Sequence, residues 1–251
     1  MEYFGIDIGC TAIKYGCVTL EREIEINNFD MLLMPQTCRT EKYTDALTHL
    51  LHNASLYKAI GIGFPSVVWD DGIMDLEIKF NDIWIKVSEL VKSVNVPCYA
   101  INDADAAGYA EVCHPSAAAL RKGVTVVLTL GTGIGSGVFL DGKLFPNTEF
   151  GMIEMHGMLA EHYTAASIKR RDSLSIQEWT SRLQEYLTKI EILLSPDHIV
   201  IGGGISADFE SYRHLLKTNR ATLLPAYFRN QAGVIGAAMN AAFQSGNTLI
   251  N

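Results

Sequence analysis

Leu130-Gly131-Thr132-Gly133-Ile134-Gly135-Ser136-Gly137 lies between two apolar runs, Val124 to Leu130 and Gly137 to Leu140, both of which read as strands. So many glycines in a turn permit positive φ and let a ligand approach the backbone closely. The stretch lacks the lysine that completes a Walker loop, which argues against a P-loop nucleotidase. The second of its strands turns at Asp141-Gly142, a strong hairpin signal.

Working outward, the same device occurs near the start of the chain. Tyr3 to Ile8 is a short apolar run, Asp7-Ile8-Gly9-Cys10-Thr11 a turn, and Ile13 to Leu20 the returning strand, carrying Lys14. Backbone N–H groups and the Thr11 hydroxyl of such a hairpin can face a phosphate. Asp7, at the strand end, can orient Mg2+ through water, since magnesium keeps most of its hydration. Either turn alone also reads as an ordinary polar β-turn. Two of them, one opening each half, point to phosphate binding.

Each hairpin is followed by alternating strands and helices. In the first half, Ile24 to Met34 is a third strand, Tyr43 to His52 has helical spacing and Ala59 to Phe64 reads as strand. Trp84 to Val94 reads as helix, Cys98 to Ile101 as strand and Asp103 to Val112 as helix. In the second half a long helix spans Ile176 to Leu194 with Asp172 or Ser175 as cap, a strand spans His198 to Ile201, and Gly233 to Phe243 is a small-residue helix. This layout predicts two related α/β lobes facing each other across a cleft. The expected division is residues 1–112 with the C-terminal helix, about 232–251, in a small lobe, and residues 113–231 in a large one.

Two further segments carry chemistry. Ile201-Gly202-Gly203-Gly204-Ile205-Ser206-Ala207 imitates a dinucleotide fingerprint, but no acidic strand end follows about 20 residues on. Gly203 and Gly204 more simply let a nucleotide lie flat on backbone. Asn102-Asp103-Ala104-Asp105 closes a strand and opens a helix. A carboxylate there can take the proton of an attacking hydroxyl, the role of a kinase base. Capping of the helix by Asn102 or Asp103 is the competing reading, and only one of the two aspartates is expected to face a ligand.

Composition sets limits. The 251 residues are 48% hydrophobic and 19% charged, with a net charge of −8. That balance argues against nucleic-acid or anionic-membrane partners, which require cationic patches. The five cysteines, Cys10, Cys17, Cys38, Cys98 and Cys113, show no zinc-ligand spacing. They read as reduced thiols, and with no leader-like or membrane-spanning segment the expected location is the cytoplasm.

Taken together, the motifs resemble the repressor, open-reading-frame and kinase (ROK) family of sugar kinases, and within it the polyphosphate/ATP glucokinases. The likeness runs from Asp7 to about Ala242. Its most specific segments are Leu130 to Gly137, Leu144-Phe145-Pro146-Asn147-Thr148-Glu149, Arg171-Asp172-Ser173-Leu174-Ser175 with Trp179, and Arg229-Asn230-Gln231-Ala232-Gly233-Val234-Ile235-Gly236-Ala237-Ala238. The resemblance implies the two-lobed actin-like ATPase (ribonuclease H-like) superfold with a central cleft. It implies a hexose kinase, glucose being the first choice of sugar and ATP or polyphosphate the donor, with Mg2+ and no structural zinc. It also implies a homodimer.

By resemblance Asp103 is the general base, Asn81, Asn102, Glu149 and Glu161 contact the sugar, and Asp7, Gly9, Thr11, Lys14, Gly131, Thr132, Gly133, Gly203 and Gly204 line the phosphate or nucleotide site. The sequence departs from the family pattern twice. Cys10 stands where the first turn normally has a second glycine. Met152, in Glu149-Phe150-Gly151-Met152, stands where the family has a sugar-contacting histidine. Methionine cannot replace that hydrogen bond, so an altered sugar preference is expected, with His156 or His162 as possible substitutes. A silent sugar-binding or regulatory protein and a kinase for another hexose or an amino sugar are the rival readings. The one basic cluster, Lys169-Arg170-Arg171, could serve polyphosphate or be a solvated helix face.

Overall fold

The computed structural model describes residues 2–9, 11–21, 23–33, 46–52, 54–70, 72–74 and 84–247. The chain separates into two compact units, Met1–Ala110 with Gln231–Asn251, and Glu111–Asn230.

The first unit opens with an antiparallel meander of β1 (Glu2–Ile8), β2 (Ala12–Leu20) and β3 (Ile24–Leu33). β4 (Ile60–Phe64) joins β1 in parallel. β5 (Val68–Trp69), β6 (Gly72–Met74) and β7 (Trp84–Lys86) make a small antiparallel sheet, and β8 (Cys98–Asn102) lies parallel to β4. The main sheet has the order β3-β2-β1-β4-β8. Tyr3 to Ile8 are all buried, as expected of a central strand covered on both faces. The helical spacing over Trp84 to Val94 gives a helix only at Val87–Leu90. Trp84 and Ile85 pair instead with Met74 and Ile73, cross-strand contacts that override the helical pattern. Residues 46–50 are helical. Residues 43–45 and Met34 lie outside the described residues.

The closing helix, Ala232–Gln244, packs onto this sheet, and its residues from Ala232 to Ala242 are all buried. It approaches backbone to backbone. A Cβ on Gly5 would land on the Val234 carbonyl, one on Gly61 on the Ala237 carbonyl, and one on Gly236 on the Ala106 carbonyl of the helix Asp103–Cys113. Only glycine allows such approach.

The second unit repeats the plan. β9 (Val124–Leu130), β10 (Ile134–Leu140) and β11 (Lys143–Phe145) form the meander, β12 (Glu154–Met155) and β13 (Met158–Leu159) a small hairpin, and β14 (His198–Gly202) and β15 (Thr222–Pro225) the parallel strands. The order β11-β10-β9-β14-β15 reproduces the first sheet strand for strand, direction included. Its long helix, Ile176–Leu194, is capped by Ser175 in a capping box with Glu178 and buries Trp179, Leu183, Tyr186, Leu187 and Ile190 at helical spacing. Among the described residues no helix is long and apolar enough to cross a membrane.

Candidate functional site

Both sheets present their candidate residues at the carboxyl ends of the parallel strands, where open α/β sheets bind ligands. In the first unit, Ile8 pairs with Ile13, and the Gly9 N–H donates to the Ala12 carbonyl at 3.0 Å, closing the turn. Thr11 is exposed at its tip. Cys10 lies outside the described residues.

Asp7, buried at the end of β1, is opposite Lys14, whose Nζ donates to Asp7 Oδ2 at 2.8 Å. A Cβ on Gly233 would fall 2.6 Å from Asp7 Cγ, so the carboxylate rests against the first turn of the closing helix. The positive end of a helix dipole favours an anion there. Lys14 engages one oxygen of this carboxylate, and a carboxylate is the kind of ligand that a magnesium ion would take.

The strand β8 ends at Asn102 and the helix Asp103–Cys113 starts on the next residue. Asn102 is buried. Its Oδ1 accepts from the N–H groups of Ala104 and Asp105 at 2.9 and 3.0 Å, and its Nδ2 donates to the Ser66 carbonyl at 3.1 Å. It is therefore the helix cap, with one amide hydrogen beyond these bonds. Asp103 is half-buried and its Oδ1 accepts from Ala104 N–H at 2.8 Å, whereas Asp105 is 1% exposed. Of the two carboxylates only Asp103 is reachable. Asn81 lies outside the described residues.

In the second unit the turn of Gly131, Thr132 and Gly133 follows β9, and Gly203 and Gly204 follow β14. Gly203 has φ +80° and is pressed against the backbone of Leu130, so the two glycine segments meet. Glu161, in the short helix Ala160–Thr164, sits at the turn: a Cβ on Gly133 would lie 2.5 Å from its Oε2. Glu149 precedes the 3-10 turn Phe150–Met152, whose Gly151 abuts the Ile134 carbonyl. That segment is fixed by a buried pair the sequence reading missed. Ser136 Oγ donates to the Thr148 carbonyl at 2.8 Å, Thr148 Oγ1 donates to the Ser136 carbonyl at 2.8 Å, and Ser136 Oγ accepts from Phe150 N–H at 3.0 Å.

Met152 is 39% exposed. His156 is engaged by Glu185 at 2.6 Å, while His162 Nε2 stands 3.6 Å from Glu161 Oε1. Of the cationic triplet, Arg171 is tied to Asp172 at 2.7 Å. Among the described residues no cluster of three or more His, Cys, Asp or Glu side chains is placed to hold a metal ion.

Residues 3–162 match the model of a family described as the ROK family. The chain is 36% identical over 242 residues to the polyphosphate glucokinase of Mycobacterium leprae (strain TN), covering 94% of this chain and 73% of the relative. It is 34% identical over 240 residues to the polyphosphate glucokinase of Mycobacterium tuberculosis (strain CDC 1551 / Oshkosh), covering 94% and 89%. Among solved structures it resembles the inorganic polyphosphate/ATP-glucomannokinase from Arthrobacter sp. strain KM, with a TM-score of 0.88, 34% identity and coverage of 97% and 99%.

Proposed function

The chain belongs to the ROK family and has its actin-like ATPase fold, and from that premise we propose that it is a kinase transferring the terminal phosphoryl group of ATP or polyphosphate to a hexose, glucose first. The observation that carries the reading is Asp103: a reachable carboxylate at the start of a helix whose preceding residue is fixed by three hydrogen bonds.

In this reading Asp103 accepts the proton of the attacking hydroxyl, and the capping bonds of Asn102 hold its backbone in place. Asn81, Asn102, Glu149 and Glu161 supply acceptors and donors to the sugar hydroxyls. Gly9, Thr11 and Lys14, with Gly131, Thr132 and Gly133, receive the donor phosphates, and Gly203 and Gly204 leave room for a nucleotide. Asp7 would hold Mg2+, which would supply positive charge against that of the donor phosphates. Structural zinc has no part in the proposal. Burial pushes Cys98 and Cys113 up to about 11, which keeps these free thiols protonated at neutral pH.

The proposal includes a cytoplasmic homodimer, on the family resemblance. Met152 favours one second reading, a kinase whose best sugar is a different hexose. The test is sugar phosphate production by purified protein with Mg2+, glucose and a panel of hexoses, comparing ATP with polyphosphate. Turnover of any hexose with either donor supports the kinase and identifies its substrates. Sugar binding without turnover by either donor would sink it.

A further inference from the structure

One residue holds the turn after β9 from outside. Ser167 donates its backbone N–H to the Gly131 carbonyl at 3.0 Å and its hydroxyl to the Thr132 carbonyl at 2.7 Å. The Gly131 N–H donates to the Gly133 carbonyl at 3.0 Å, which closes the turn on itself. In a planar trans peptide the carbonyl and the following N–H point in opposite directions. Drawing the carbonyls of Gly131 and Thr132 toward Ser167 therefore turns the N–H groups of Thr132 and Gly133 to the opposite face. Among the described residues, neither of these N–H groups donates to another backbone group outside the strands and helices. Successive N–H groups presented on one side of a turn form an anion-binding concavity.

We propose that Ser167 is a positioning residue that aims the Thr132 and Gly133 N–H groups at the terminal phosphate of the phosphoryl donor. This rests on reading the turn as the donor site. Ser167 acts through the turn and touches no substrate. ATP and polyphosphate share the terminal phosphate, so its effect is common to both donors.

The experiment pairs steady-state kinetics of the wild type, Ser167→Ala and Ser167→Thr with amide shifts in 15N-labelled protein on adding tripolyphosphate. Ser167→Ala keeps the backbone bond to Gly131 and loses the hydroxyl bond to Thr132. Its donor KM is expected to rise about five- to tenfold, the size of one neutral hydrogen bond, with the glucose KM within about twofold. Ser167→Thr, which keeps the hydroxyl, restores the donor KM. Thr132 and Gly133 amides shift with tripolyphosphate in the wild type and shift less in Ser167→Ala.

An unchanged donor KM, an equal rise in both KM values, or no recovery in Ser167→Thr overturns the proposal. So do silent Thr132 and Gly133 amides in a wild type that phosphorylates glucose. Tripolyphosphate shifts at those amides without sugar phosphorylation would remove the kinase reading and leave the Ser167 assignment standing. A wild type that neither binds a donor nor turns over sinks both.

Discussion

Glu191 and Glu111 both hold loops through backbone N–H groups, yet their environments act in opposite directions. Glu191 accepts from the N–H groups of Asn219, Arg220 and Ala221 and from the Asn219 side chain. Burial raises its pKa, and the four donors together outweigh burial and hold it below the ordinary value. Among the described residues Glu111 accepts from Tyr227 and Phe228, and burial wins, so its pKa is raised. A depressed carboxylate stabilises the fold above its unfolded pKa, near 4.5 for glutamate, and loses that contribution as pH falls through the folded value. Glu191→Gln is therefore expected to cost about 1–3 kcal/mol at pH 7. The gap in Tm to the wild type should close as the pH is taken well below 4.5. A gap that stays constant down to acid would show that the charge is not the cause. At Asp103 the expected effect is on chemistry. Asp103→Asn should lower kcat by roughly 10²–10⁴ while sugar affinity, measured by calorimetry, changes little. A variant that keeps most of its turnover would remove Asp103 as base. The strand-end positions of Asp7, Asn102 and Asp103 were legible in the sequence, because a turn follows directly on the first and a helix starts directly at the last two. The contact of Glu161 with Gly133 and the grip of Ser167 on the turn were not, because those partners are joined only by the tertiary fold.

Among the elements, the closing helix is the most exacting. Its approach to β1, β4 and the helix Asp103–Cys113 needs Gly5, Gly61 and Gly236, each facing a carbonyl. A methyl at any of these meets backbone, which cannot rotate away as a side chain could. Gly61→Ala and Gly236→Ala are each expected to cost about 3 kcal/mol, the upper end of overpacking. In a chain of this size that corresponds to a Tm lowered by roughly 6–12 °C. Gly131→Ala is the control, since a Cβ there meets nothing within 4 Å and its stability should change little. Equal losses at Gly61 and Gly131 would refute the close-approach argument. Periodicity and turn chemistry revealed both hairpins and the small-residue helix at the end of the chain, and left the cap of the long helix between Asp172 and Ser175, of which the structure has Ser175. They did not reveal β5, β6 and β7, two or three residues each, because so short a strand is defined by its partners alone.

For the molecule as a whole, the two units differ in how the chain supplies them. One unit is the continuous stretch Glu111–Asn230, whose core among the described residues lies between Val124 and Leu223. The other unit is made of two distant pieces, Met1–Ala110 and Gln231–Asn251. A fragment of residues 111–230 is expected to fold cooperatively by itself. Residues 1–110 alone should not, until a peptide of residues 231–251 is added. Circular dichroism melts of the fragments and of the mixture check this, and a cooperative melt of 1–110 without the peptide would count against it. The repeated layout was legible from the two glycine-rich hairpins, whereas the identical strand order of the sheets needed the pairing itself. The divided unit also has a consequence in time. At about 5–20 residues per second, synthesis of the 120 residues from Glu111 to Asn230 takes roughly 6–24 s. Throughout that interval the nascent β1 and β4 wait for the helix that covers Gly5 and Gly61. The cell must shield that bare sheet face from its neighbours on the polysome, and slow translation of the intervening stretch would lengthen the hazard.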